Sequence, residues 1–238
     1  MAFADKVVLV AGGTGALGRE VAMAFLEAGA RVAVTYRNAP EFEAFVGAAQ
    51  RTGAALPEGA RLDVTDVAAV DAYVAELAKR HGRLDILVNA VGGYGGGKNV
   101  WEASAADYDA MMALNLKAGF ALTHAVVPVM IRQNRGWIVN VASKAGYGHS
   151  AGAALYAASK AAALVLIESL AAEVKDYNIN VNSIVPSIFD TAANRTAMPK
   201  ADFSKWPKPE QIARVVLFLC SEDGRLIHGA AVPVYGHT

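Results

Sequence analysis

The feature that most constrains this chain is a regular alternation. Short runs rich in Val, Ile and Leu are each followed by a longer stretch with helical spacing. Residues 6–11 (KVVLVA), 31–36, 56–62, 84–89, 136–142, 179–185 and 231–234 read as strands. Residues 15–29, 41–51, 66–81, 105–132, 153–177 and 209–221 read as helices, with Pro128 expected to bend the longest. Repeated strand–helix–strand units with right-handed crossovers give a doubly wound α/β fold: a seven-stranded parallel sheet with helices on both faces. Strands covered on both sides need near-continuous apolar runs, and 54% hydrophobic residues supply them. No linker, charge block or repeat divides the chain, so one domain over residues 1–238 is expected.

Charge narrows the partners. Lys and Arg number 22, Asp and Glu 22, so nothing pulls the whole chain toward nucleic acid or an anionic membrane. No uncharged apolar run approaches the ~18 residues of a membrane span, and the N-terminus does not read as a signal peptide. The single cysteine, Cys220, excludes an internal disulfide and fits a reducing, cytoplasmic setting. Its apolar neighbours make it a buried helix thiol. His81, His124, His149, His228 and His237 show neither i, i+4 pairing nor a cysteine partner, so no metal site is expected.

The first strand runs into Gly12-Gly13-Thr14-Gly15-Ala16-Leu17-Gly18, which opens a helix. Gly13, Gly15 and Gly18 have the spacing of a dinucleotide-binding loop. Glycines allow the tight turn and the close approach of backbone to a pyrophosphate, and the helix start supplies free N–H donors. An acid at the end of the second strand favours NAD, whereas an Arg accommodates the 2′-phosphate of NADP. Here Tyr36-Arg37-Asn38 has no acid. NADP(H) is therefore expected, with NAD(H) open if Arg37 is only a solvated charge.

Tyr156 and Lys160 lie four residues apart on a helix, hence on one face. A tyrosine ionises near pH ~10, too high for easy proton exchange at neutral pH. A neighbouring ammonium is expected to favour the phenolate and lower that value.

With these residues assembled, the chain resembles the short-chain dehydrogenase/reductase family over almost its whole length, which implies a Rossmann fold and an oxidoreductase. Asp63-Val64 is similar to the family's adenine-contacting pair. Asn89-Ala90-Val91-Gly92 resembles the turn after its fourth strand, with Ala90 and Val91 departing. Asn115 matches its helix asparagine, Ser143 precedes Tyr156 by a family-like spacing, and Pro186-Ser187 stands for Pro-Gly. The resemblance implies that Pro186, Ile188 and Thr191 contact the nicotinamide end of the cofactor. It makes Tyr156 the proton donor in reduction and Ser143 the hydrogen-bond partner of the substrate oxygen. Lys160 would hold the ribose, and Asn115 a water linking Lys160 to solvent.

Two segments resemble the quinonoid dihydropteridine reductase-like members more narrowly: the glycine-rich stretch 90–97, and residues 190–206 with Met198, Phe203 and Trp206. A substrate lid at about 187–208 follows, its apolar side chains covering the nicotinamide. Yet Ser143 suits a carbonyl oxygen better than a quinonoid imine, so carbonyl and pterin both stay open, as does the direction of reaction. A non-catalytic NADP(H)-binding regulator is the alternative on this fold, and intact Asn115, Ser143, Tyr156 and Lys160 weigh against it. The apolar outer faces of the two longest helices, together with the resemblance, imply a homodimer or homotetramer acting on a small molecule.

Overall fold

The computed structural model describes residues 3–238. Seven parallel strands form one sheet in the order β3-β2-β1-β4-β5-β6-β7. They are β1 (Val7–Ala11), β2 (Arg31–Tyr36), β3 (Glu58–Arg61), β4 (Ile86–Asn89), β5 (Gly136–Val141), β6 (Ile179–Pro186) and β7 (Ala231–Val234). The chain reverses direction across the sheet between β1 and β4, which leaves a crevice at their C-terminal ends.

The two-residue period of β1 explains its unbroken apolar run. Val8 and Val10 face the core under helices α1 (Ala16–Glu27), α2 (Ala39–Thr52) and, at the C-terminal end, Pro209–Leu219. Val7, Leu9 and Ala11 face the opposite core. That second core is closed by α3 (Val67–His81), α5 (Ala118–Gln133) and α6 (Ala154–Val174), while α4 (Ala105–Met112), which buries no residue of its own, precedes α5 in one long helical segment. β1 and β4 are buried along their whole length and carry no polar residue but Asn89 at the end of β4, whereas β6 buries Asn180, Asn182 and Ser183 within it, both asparagines donating to the Ile227 carbonyl. Asp66 starts α3 by accepting the Ala69 N–H, 3.1 Å away, and Lys79, Arg80 and His81 complement the dipole at its end.

Three expectations need adjustment. The third strand is shorter than 56–62, because it lies at the sheet edge with Glu58 and Gly59 in place of a core-facing apolar run. The helix expected over 105–132 is interrupted by a π turn, Ala113–Lys117, which carries buried Asn115; Pro128 lies inside α5. Residues 190–208 are not aperiodic throughout. Thr191 accepts the Asn194 N–H and starts a short α7 (Ala192–Ala197), too brief to show a hydrophobic period; a 3-10 turn, Phe203–Lys205, precedes α8 (Pro209–Leu219). Trp206 is buried and packs on Phe203, whereas Met198 is exposed, so these side chains do not form one common apolar face. The segments Ala105–Gln133 and Ala154–Tyr177 are long and apolar enough to cross a membrane by length and composition, but their buried residues pack on the sheet.

Candidate active site

At the end of β1 the backbone turns at Gly12, whose φ of 73° belongs to glycine. Its N–H donates to Thr35 Oγ1 at 3.1 Å, and the Gly13 N–H to the Thr35 carbonyl at 3.1 Å, so the loop is stitched to β2. A Cβ at Gly18 would fall 2.2 Å from the Gly12 carbonyl, and one at Gly13 2.5 Å from Val34 Cγ1. These two glycines let helix, loop and strand close on one another. Gly15 and Ala16 stay exposed, Leu17 is buried beneath them and Thr14 is half-buried at the rim. No side chain caps α1 at Gly15 and no acid lies in its first turn, so its first N–H groups face the opening unpaired. That donor set fits a pyrophosphate.

One side of the crevice is built from the segments that follow β2 and β3. Arg37 and Asn38 are exposed beyond β2. Asp63 accepts the Thr65 N–H at 2.9 Å and the Thr65 hydroxyl at 2.8 Å. These bonds, with help from the Arg37 and Lys117 charges, hold its carboxyl below the usual range. Val64 is buried beside it. Across the crevice, Asn89 donates to Asn140 Oδ1 at 2.9 Å and accepts the Val91 N–H, while the Ala90 N–H donates to the Ala11 carbonyl. Pro186 is buried at the end of β6, Ile188 is half-buried, and Thr191 is occupied as the α7 cap.

Ser143, just past the end of β5, accepts the Ala145 N–H on its Oγ at 3.2 Å and is near enough to Tyr156, in the first turn of α6, to influence its phenol. Burial is the main influence on the Tyr156 phenol and raises it above its ordinary 10.0; the Ser143 hydrogen bond opposes this and the Tyr94 phenol adds to it. Lys160 is 5% exposed and donates to the Val141 carbonyl at 3.1 Å. Burial lowers it from 10.5 to about 8. This departs from the sequence expectation. Shared helix face does not make Lys160 a partner of the Tyr156 phenol, because a strand carbonyl takes its ammonium first.

Asn115 is locked into the backbone. Its Oδ1 accepts the Gly93 N–H at 3.0 Å, and its Nδ2 donates to the Gly93 carbonyl and to Ser159 Oγ, each at 3.1 Å. Ser159 in turn donates to the Tyr156 carbonyl at 2.8 Å. A Cβ at Gly92 would lie 2.8 Å from Lys160 Nζ and 3.0 Å from Asn115 Oδ1, so Gly92 is where loop, Lys160 and Asn115 converge. The structure therefore gathers Asn115, Ser143, Tyr156 and Lys160, and sets Arg37 and Asp63 apart beyond β2 and β3, with Thr14 in the glycine loop bonded to Glu41 of α2.

Three further side chains escaped sequence reading. Ser159 is fully buried between Asn115 and Tyr156; its spacing from Tyr156 was the available signal. Tyr94 is 71% exposed, yet its ring meets that of Tyr156 edge to face with centroids 5.1 Å apart. Glu41 accepts the Thr14 hydroxyl at 3.1 Å across 27 residues of chain, a contact no local pattern announces. Among the described residues no group of three His, Cys, Asp or Glu could hold a metal ion.

Comparison with known proteins follows this geometry. The family model described as short chain dehydrogenase matches residues 6–202. A 3-oxoacyl-acyl-carrier-protein reductase of Thermotoga maritima is 31% identical, with 99% of this chain and 98% of the relative covered. The levodione reductase of Leifsonia aquatica is 30% identical, with 98% and 94% covered. A solved structure of NAD+-bound xylitol dehydrogenase superposes with a TM-score of 0.90 at 27% identity, covering 99% of this chain and 100% of that one.

Proposed function

The chain belongs to the short-chain dehydrogenase family, and from that premise we propose that it is an NADP(H)-preferring oxidoreductase that reduces a carbonyl compound, with quinonoid dihydropteridines as a second substrate class. The observation that carries the reading is the convergence of buried Lys160 and Asn115 at Gly92, with Asn115 tied through Ser159 to the turn that carries Tyr156. A phenol raised by burial stays protonated at neutral pH and is suited to donate its proton to a nascent alkoxide. The Ser143 hydroxyl, on the same opening, orients the substrate oxygen and stabilises its developing charge. Lys160, at about 8, exchanges protons near neutral pH and can restore the Tyr156 proton once it leaves the Val141 carbonyl. Asn115 and Ser159 fix the Gly93 loop against the Tyr156 turn, which keeps donor and opening in register.

Gly12 to Gly18 would hold the cofactor's pyrophosphate, Asp63 and Val64 its adenine, and Arg37 its 2′-phosphate. Asn89, Ala90, Pro186, Ile188, Thr191, Tyr156 and Lys160 would line its nicotinamide half. When bound, the nicotinamide supplies the hydride. The exposed Tyr94 ring against Tyr156 supports flat substrates, since it offers an apolar wall beside the proton donor. Residues 187–208 serve as the lid of a single domain, and a second copy of the chain covers the apolar outer faces of α5 and α6, where Phe120 and Val165 are exposed. The deciding experiment follows NADPH oxidation with a panel of diketones, quinones and a quinonoid dihydropteridine. Turnover of any of them supports an oxidoreductase; tight NADPH binding with no turnover of any would favour a regulator.

A further inference from the structure

The Tyr36-Arg37-Asn38 turn has no acid, but the folded chain brings one to the same place from elsewhere. Glu41 lies in the first turn of α2, and both of its carboxylate oxygens are engaged. Oε2 accepts the hydroxyl of Thr14, in the glycine loop, at 3.1 Å; Oε1 accepts the Asn38 amide at 3.2 Å. The helix start that carries it is itself fixed. The Phe42 ring stacks on Tyr36 with centroids 4.6 Å apart and planes 3° from parallel. The same ring fills the space a Cβ would take at Gly59, so β3 cannot move away from it without opening a void. Arg61 holds the turn from the other side by donating to the Arg37 carbonyl at 3.2 Å.

Thr14 and Asn38 are the neutral donors between the glycine loop and the end of β2, and the carboxylate takes both. A ribose diol can donate to such a carboxylate. A phosphate monoester cannot: it carries the same sign of charge and competes for the same two donors. Arg37, exposed beyond β2, pulls the other way. We propose that Glu41 discriminates against a 2′-phosphate, supplying from the first turn of α2 the acid that is missing at the end of β2. Arg37 and Glu41 then oppose one another, and their balance sets how far NADP(H) is preferred over NAD(H). The assignment rests on the reading that a dinucleotide occupies the glycine loop.

The test measures Kd for NADPH and NADH separately, by cofactor fluorescence without substrate, in wild type, Glu41→Gln and Glu41→Ala. Glu41 is exposed, so thermal unfolding should be little changed in either variant. Glu41→Gln is expected to tighten NADPH about fivefold, the upper range for an exposed charge, while NADH is unchanged or weaker. Glu41→Ala should move the NADPH/NADH ratio in the same direction. An unchanged ratio in both variants, or a shift toward NADH, overturns the assignment while leaving the dinucleotide reading intact. Failure of wild type to bind either nucleotide overturns both.

Discussion

Lys160 donates to the Val141 carbonyl at 3.1 Å rather than to the Tyr156 phenol one helical turn away on α6. Acid and ammonium thus stand side by side without being joined. Burial lowers Lys160 from 10.5 to about 8. Between those pH values the unfolded chain carries a proton that the folded chain has released, so this group's contribution to stability rises with pH across the window. Below pH 8 the folded chain bears the whole cost of a buried ammonium, about 3 kcal/mol. Lys160→Met should therefore raise the melting temperature at pH 7 by several degrees, reduced somewhat by the lost bond to Val141, and the gain should fade toward pH 10.5. Thermal unfolding of both proteins across that pH range checks it; a lower melting temperature at pH 7 would show that the Val141 bond outweighs desolvation.

Tyr156→Phe removes the hydroxyl proposed as proton donor and keeps the ring that packs on Tyr94. Turnover of a verified substrate should fall by at least ~10²-fold, the lower worth of a positioned general acid. Affinity for NADPH should change little, which separates loss of chemistry from loss of the site. Near-normal turnover would remove Tyr156 from the mechanism.

Arg37→Ala should weaken NADPH far more than NADH. A charge-assisted bond is worth about 1.5–3 kcal/mol, or roughly 10- to 150-fold in Kd. Titration of each nucleotide into wild type and variant measures the difference. Tighter binding of NADH than NADPH by wild type would contradict the preference at its root.

Ser143→Ala should damage reduction of a ketone and spare that of a quinonoid dihydropteridine, because the alkoxide formed from a ketone needs the hydroxyl more. The ratio of the two rates in wild type and variant is the measurement. Equal loss on both substrates would mean that Ser143 serves one common step.

Local chemistry was readable in advance and long-range chemistry was not. The valine runs of β1 and β2, the Gly12–Gly18 turn and the four-residue step from Tyr156 to Lys160 are each written within a few residues. The π turn that carries Asn115 has no compositional mark, because its residues also suit an ordinary helix. The direction of the Lys160 ammonium depends on where β5 ends, and the Thr14–Glu41 bond on how α2 is seated by Phe42 and Gly59. The 190–208 segment hides α7 because six residues are too few for a period to emerge. For Lys160 and for Thr14 the decisive partner lies on another element, and spacing along the chain carries no information about it.

The strand order has a temporal side. During synthesis, residues up to Asn89 complete β1 through β4 and contain the glycine loop, Arg37, Asp63 and Val64. Ser143, Tyr156 and Lys160 come later, and β4 keeps an unpaired edge until Gly136–Val141 arrives to join it. A nascent chain therefore holds the glycine-loop half before Ser143, Tyr156 or Lys160 exists. Through that interval β4, which ends as a central strand, is open to mispairing alongside the permanent edge strand β3.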